Sequence, residues 1–449
     1  MRQVDAAVIG GGVLGCFAAR NLRRWNISTV LIEKAEDVCT GITRANSAIV
    51  YPGYDNRPGS RKAQMTVAGN AGFPELCEEL EVPFRRMGSL MAGFGAKADQ
   101  ILDEKLKQGI ANGVPGLRLL SGEEAREREP FLSKNVTSAL YAPTAGTVNP
   151  WLLGIAAYEN ACYNGCEAFF NTQVFGIRGS RGGYILETSA GGIFCKAILN
   201  CAGLYADQVQ ELLFPPSVRL IWDASDFLIL DKQTPGPSHI LFQECGDNGK
   251  GITAVPTVEG NLLLEGIKRP LEGKPWATVQ AGLERLQTMA AQMLPEVDLG
   301  QVIRSFAAVR PNPQRVVWRD GNYVPDGTSL GSFVIEHPAP GFYSLIGIKT
   351  PGLTCAQELG FYLAKETAAY LEAPENPGFD PHRRAIAEKD NTVICQCGGI
   401  TQAEILEAVR RGASTVDGVK RRAGSGMGAC QGSRCGRLIE ELLKAHGTV

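Results

Sequence analysis

The chain has 449 residues, with 45 basic against 47 acidic side chains. It is near-neutral and long enough for two or three domains. That balance counts against nucleic acid as a main partner, and no apolar run is long enough to span a bilayer, which leaves only peripheral membrane association open. Thirteen cysteines, in a chain whose first strand starts almost at Met1 and leaves no room for a signal peptide, predict a reducing cytoplasm with thiols or metal sites rather than disulfides.

Asp5–Ile9 is a short apolar run with the character of a buried parallel strand. It enters Gly10-Gly11-Gly12-Val13-Leu14-Gly15, which fits G-x-G-x-x-G, and a helical pattern follows through Leu22. A second strand, Ser28–Ile32, ends on Glu33. Gly10 permits the tight turn, Gly12 admits a pyrophosphate against the backbone, and Gly15 lets the helix pack on the strand. The helix start offers unpaired N–H groups to phosphates, and Glu33 can accept hydrogen bonds from an adenosine ribose. An acid at this position disfavours a 2′-phosphate, so the cofactor is FAD or NAD.

Thr40–Ser47 is a polar loop that could wrap a cofactor, and it leads into Ala48–Tyr51. Residues 60–80 and 98–112 have helical character, and Phe84–Phe94 reads as strand interrupted at Gly88. Tyr184–Thr188 and Gly192–Leu199 form a hairpin about Ala190–Gly192. The second of these strands ends in Asn200-Cys201-Ala202-Gly203, small residues that let a ligand approach the backbone. Residues 217–268 hold several short strands and read as an antiparallel sheet, with a helix over Ala277–Met293. Phe342–Ile346 is a further strand, followed by Gly347-Ile348-Lys349-Thr350-Pro351-Gly352-Leu353-Thr354 and a helix to about Leu371. Such a loop is either an ordinary strand-to-helix turn or a place where N–H groups stabilise developing negative charge. Prolines 374, 377 and 381 mark a linker over 372–391.

The remaining segment, 392–449, carries Cys395-Gln396-Cys397 and Cys430-Gln431-Gly432-Ser433-Arg434-Cys435. Between the pairs, Thr401 and Glu404 form a capping box, Ile400 and Ile405 a hydrophobic staple, and Gly412 a helix stop. A last helix over Gly436–Leu443 is expected to bury Leu438, Ile439, Leu442 and Leu443. A unit this small needs a metal staple. Four thiolates suit zinc or an iron–sulfur cluster, and the C-x-C and C-x-x-x-x-C spacings, unlike zinc knuckles, favour [2Fe–2S]. Lys420-Arg421-Arg422 are expected to offset the cluster's negative charge.

With GGGVLG and Glu33, the motifs RANSAIVYPGYD (44–55), ILNCAGLYAD (198–207), VPTVEGNLLLEG (255–266) and GIKTPGLT (347–354) carry a resemblance. Residues 1–370 resemble FAD-dependent oxidoreductases of the D-amino-acid-oxidase superfamily, in the branch of glycerol-3-phosphate dehydrogenases and L-2-hydroxyglutarate oxidases. The tail resembles the [2Fe–2S] domain of bacterioferritin-associated-ferredoxin type. The resemblance implies a mixed α/β fold: a Rossmann-like FAD domain of the para-hydroxybenzoate-hydroxylase type, an interleaved antiparallel substrate domain, and a small helical cluster domain. The FAD parts fall at about 1–75, 145–215 and 325–371, and the substrate parts at about 76–144 and 216–324. Gly10, Gly12, Val13, Leu14, Gly15, Glu33 and Lys34 would hold the ADP half, with Val174 near the adenine. Thr43, Arg44, Asn46 and Ser47 would follow the pyrophosphate and flavin, Ala202 and Gly203 would back it, and Gly347, Gly352, Leu353 and Thr354 would face its C2 carbonyl at a helix start. Arg310, in AAVRPNP, matches a substrate-facing arginine that clamps an anion. Cys395, Cys397, Cys430 and Cys435 would ligate the cluster.

Two departures stand out. Tyr51 occupies the place of a common His, and Asp223-Ala224-Ser225-Asp226-Phe227 replaces Arg-Lys-Gly-Glu-Tyr, which counts against a phosphorylated substrate. The function implied is a dehydrogenase of a small anionic CH–OH compound that passes hydride to FAD and sends electrons through the cluster to redox partner subunits in a hetero-oligomer. The alternatives are an amino-acid or secondary-amine dehydrogenase and a non-catalytic electron-transfer subunit. Tyr51, Lys349 and His239 are the candidate bases.

Overall fold

The computed structural model describes residues 1–246, 250–271 and 276–446. The first strand, Arg2–Ile9, lies at the centre of a sheet whose parallel core has the spatial order Glu167–Phe169, Thr29–Ile32, Arg2–Ile9, Gly191–Asn200, Phe342–Ile346. Apart from the edge strand Glu167–Phe169, the ends of these strands that meet at the glycine loop are buried on both faces, which explains their apolar runs. The helices Val13–Leu22, Pro150–Tyr163 and Ala356–Leu371 cover one face around Phe17, Leu22 and Leu359. The start of Gly191–Asn200 pairs with Gly183–Thr188 in the hairpin read from the sequence, while its end pairs with Phe342–Ile346. Ile9 sits opposite Asn200, and Asn200 opposite Ser344. The glycine loop, Cys201–Gly203 and Gly347 therefore leave the sheet side by side at the carboxyl ends of parallel strands, where such sheets bind ligands.

A second, nine-stranded sheet follows the order Asn322–Ser329, Val302–Arg319, Val218–Leu230, Leu262–Pro270, Lys250–Pro256, Ile240–Glu244, Ser89–Gly93, Ser138–Ala142, Arg118–Ser121. All its pairs are antiparallel except Ser89–Gly93 with Ile240–Glu244. The run Phe84–Phe94 is divided at Gly88, with Phe84–Arg86 in a separate three-stranded sheet and Ser89–Gly93 in this large one. The helix Gln280–Met293 packs on the outer face through Leu286, Ala290 and Met293.

Near the C-terminus, Thr401 caps the helix Gln402–Arg410 with the expected reciprocal Glu404 bond, and Gly412 follows its end at φ +95°. Ile405, Val419, Ile439 and Leu443 make a small core, but Leu438 is exposed rather than buried. In the helix Gly436–Ala445, residue 438 points away from the Ile439 and Leu443 face. The segment read as a linker is bound as a strap along the body. Asn160 donates to the carbonyls of Asp380 and His382, Arg20 donates to that of Pro381, and buried Arg383 pairs with Glu159 at 2.8 Å.

Candidate functional site

The glycine loop has the dimensions of a dinucleotide cradle. A Cβ on Gly10, at φ +103°, would lie 2.6 Å from the Cys201 carbonyl, and one on Gly15 would overlap the Gly10 carbonyl. A Cβ on Gly12 would meet only the Thr43 hydroxyl at 3.4 Å, and one on Gly203 would meet nothing, so space stands open where phosphates would lie. Glu33 accepts from the Gly11 N–H at 2.6 Å and the Ala35 N–H at 2.9 Å, which fixes its carboxylate beside the loop. Thr43 Oγ1 accepts from the Val13 N–H at 3.0 Å and ties the wrapping loop to the helix start.

From this cradle an open cleft runs between the two sheets. Gly12, Val13, Leu14, Thr43, Asn46, Ser47, Gly203, Gly352 and Leu353 line it, as do Tyr51, Arg310 and Lys349. Asn46 accepts from the Ala48 N–H and donates to the Thr43 carbonyl, which holds the loop in shape. Thr354 is buried and its hydroxyl accepts from the Tyr51 N–H at 3.0 Å. The helix after it begins at Ala356, so residues 352–354 form the turn ahead of the helix rather than its first turn.

Not every candidate reaches the cleft. Arg44 is exposed at the end of a 3-10 turn, and Lys34 lies over the Tyr205 ring. Val174 is buried opposite Thr188, Ala202 packs against Gly10, and Gly347 adopts φ +67° against Pro313. His239 is removed from the candidate bases: its Nδ1 is 3.1 Å from Glu129, and it lies at the start of Ile240–Glu244, off the cleft. Tyr51 also fails as a base. Burial, reinforced by nearby Glu265, pushes its phenol well above the ordinary range, so it keeps its proton.

The sheet floor supplies what sequence reading missed. Asp223 and Arg310 face each other across neighbouring strands, and Arg310 Nε donates to Asp223 at 3.0 Å. The gained acid therefore holds the arginine in orientation. Arg310 Nη2 is buried with no hydrogen-bond partner among the described residues, and Ser225 Oγ beside it is in the same state. Lys349 donates to Asn312 Oδ1. Burial, then repulsion from Lys268 and Arg310, brings Lys349 down to about 8. Lys268, not singled out in the sequence, lies near enough to Arg310 and Lys349 for the positive charges to repel one another. Glu265, inside a quoted motif but assigned no role, also lines the cleft. Only cross-strand register, invisible to local pattern, brings these groups together.

In the C-terminal unit Cys397 Sγ and Cys430 Sγ are 3.5 Å apart, and Cys435 lies beside Cys395. The Gly426 N–H points at Cys395 Sγ at 3.5 Å, and N–H groups of Arg434 and Gly432, with Cys397, lower Cys430 to about 7. No group of three or more ligand side chains among the described residues converges on one ion position. Two pairs of thiols suit a binuclear iron–sulfur cluster better than one tetrahedral zinc. Arg421 and Arg422 do not serve as the cluster's counter-charges. Both turn to the buried carboxylate of Asp37 in the glycine-loop domain at 2.6 to 2.8 Å, a charge that is costly to bury unless it is paired. Arg411 meets Glu159 at 3.1 Å, and Arg304 meets Gln431, next to Cys430, at 3.3 Å.

Cradle, cleft and thiol pairs define a flavin-dependent redox enzyme with a second, one-electron centre. The chain belongs to the FAD dependent oxidoreductase family, whose profile matches residues 5–366, and residues 393–445 match the BFD-like [2Fe-2S] binding domain. It is 38% identical to a glycerol 3-phosphate dehydrogenase of Caloramator mitchellensis, over 99% of this chain and 94% of that one. It is 29% identical to an L-2-hydroxyglutarate dehydrogenase of Indibacter alkaliphilus over 46% of this chain and 51% of the other. Its fold is similar to that of the FAD-bound L-alpha-glycerophosphate oxidase of Mycoplasma pneumoniae, with TM-score 0.75 and 22% identity over 85% of this chain and 99% of that structure. The enzyme is an FAD-dependent oxidoreductase with a [2Fe–2S] cluster, and no helix among its described residues is long and apolar enough to cross a membrane.

Proposed function

We propose that the enzyme dehydrogenates a small anionic CH–OH compound, of the glycerol 3-phosphate or 2-hydroxy-acid type, and passes electrons through its cluster to a redox partner subunit. The observation that carries this reading is Arg310 Nη2, a buried donor left without a partner in the cleft. Buried donors are rarely left unsatisfied, and a carboxylate or phosphate oxygen would complete this one. Asp223 holds the guanidinium in orientation, and Lys268 and Lys349 add positive charge beside it. The similarity to a glycerol 3-phosphate dehydrogenase along the whole length supports a polyol phosphate first. Bound FAD accepts the hydride. The chain's residues seat the anion, hold the substrate carbon against the cleft wall and exclude water.

Anaerobic addition of glycerol 3-phosphate and a panel of 2-hydroxy acids tests the reading. One of them should bleach the flavin band and then reduce the cluster, seen by electron paramagnetic resonance. Arg310→Ala should keep the flavin while weakening substrate binding by about 100-fold, the loss of a buried charge-assisted contact. Bleaching by amines alone would sink the proposal.

A further inference from the structure

We infer that Glu265 is the proton acceptor of this oxidation, an inference that rests on the reading of the cleft as a CH–OH dehydrogenase site. Glu265 sits within Leu262–Pro270, opposite Phe227 on one neighbouring strand and Thr253 on the other. Its side chain lines the cleft with Ser47, Tyr51 and Arg310. A carboxylate inside a sheet-lined cleft is costly unless it is paired or used. Among the described residues no lysine or arginine closes on it as an ion pair, and the Nε of Arg310 is engaged by Asp223. The other candidates are committed elsewhere: the Tyr51 phenol keeps its proton, Lys349 donates to Asn312, and His239 is held by Glu129.

The step balances. The substrate O–H bond breaks and its proton passes to the Glu265 carboxylate. The C=O bond forms as hydride leaves the same carbon for FAD, the oxidant. Burial raises the Glu265 pKa and so strengthens it as a base, although Arg310, the Ser47 hydroxyl, Lys268 on its own strand and Lys250 on the adjacent one restrain the rise. Tyr51 faces it from the wrapping loop, and its cross-strand partner Phe227 brings no charge.

Glu265→Gln and Glu265→Asp test the assignment in the FAD- and cluster-loaded protein. Glu265→Gln should retain the flavin spectrum yet reduce its flavin about 100-fold or more slowly with glycerol 3-phosphate. The acidic limb of its pH profile should vanish, while Glu265→Asp recovers part of the rate. Calorimetry supplies a readout apart from turnover. Binding of dihydroxyacetone phosphate, the ketone of that substrate, should take up a proton in the wild type and none in Glu265→Gln, as judged in buffers of different ionisation heat. A wild-type reduction rate in Glu265→Gln, or an unchanged acidic limb, overturns the assignment alone. So does a rise in rate across pH 8 that Lys349→Met abolishes, which would make Lys349 the acceptor. A wild-type flavin that no polyol phosphate or hydroxy acid reduces overturns the functional reading and this inference with it.

Discussion

Lys349 shows how position changes the chemistry of a side chain. Burial and the neighbouring cations Lys268 and Arg310 bring it down to about 8, against an ordinary lysine near 10.4. Its charge is present below that value and is lost as pH rises through it. Affinity for an anionic substrate should therefore fall between pH 7 and 9, with KM rising roughly tenfold, about the worth of one charge-assisted contact. Lys349→Arg, which cannot deprotonate in this range, should flatten the profile. A KM equal at pH 7 and 9 in the wild type would remove Lys349 from the binding set. The sequence offered Lys349, Tyr51 and His239 as equals. Packing separates them, because an unshared environment and not residue type decides which group can lose or keep a proton.

At the scale of elements, the strand–loop–helix unit 2–22 is constrained by backbone contact. Gly15→Ala would drive a methyl group into the Gly10 carbonyl. The expected outcome is a protein purified without flavin and melting at lower temperature than the wild type, both read from one absorbance-monitored melt. A second joint is the buried cluster of Asp37 with Arg421 and Arg422, which holds the helix Val416–Ala423 against the flavin domain. Burial alone would raise Asp37, but Arg422 and then Arg421 outweigh it and keep the carboxyl below its ordinary value. Its stabilising effect is thus complete above about pH 4 and fades as pH falls through the depressed value. Asp37→Asn removes the carboxylate that both buried guanidiniums share and leaves Arg422 only Glu159 at 3.7 Å, at a cost of about 3–5 kcal/mol. Limited proteolysis should then cut near residues 384–392 far faster than in the wild type. Equal cutting rates would show that other contacts hold the module. The basic triplet 420–422 was legible as charge, but its partner lay 384 residues away in sequence from Arg421, beyond any local pattern.

For the whole molecule, the two redox centres occupy units of unequal self-sufficiency. The flavin domain is built on large buried cores, whereas the C-terminal unit rests on a small one around Ile405, Val419, Ile439 and Leu443. Metal binding in so small a unit is coupled to its folding. Reductive chelation of the iron should open residues 393–445 to hydrogen exchange while the flavin spectrum and the exchange of residues 2–22 stay unchanged. Protection of 393–445 without iron would mean that docking through Asp37 and Glu159 is enough to fold it.

The amino-acid sequence by itself determined a dinucleotide cradle and a thiolate-bound metal centre, because glycine spacing, an acid at a strand end and paired cysteines are short-range signals; FAD and the enzyme class came from the resemblance that the longer motifs carry. The glycines permit only certain backbone paths, and the thiols are chemically specific wherever they fall. Tertiary structure alone decided that Asp223 orients Arg310, that Glu265 shares the cleft with Lys349 while Lys268 repels that lysine, that His239 belongs to Glu129, and that Arg421 and Arg422 serve the domain joint. Each of these depends on register between strands or docking between domains, where groups distant in the chain meet and a buried charge takes the partner that geometry brings to it.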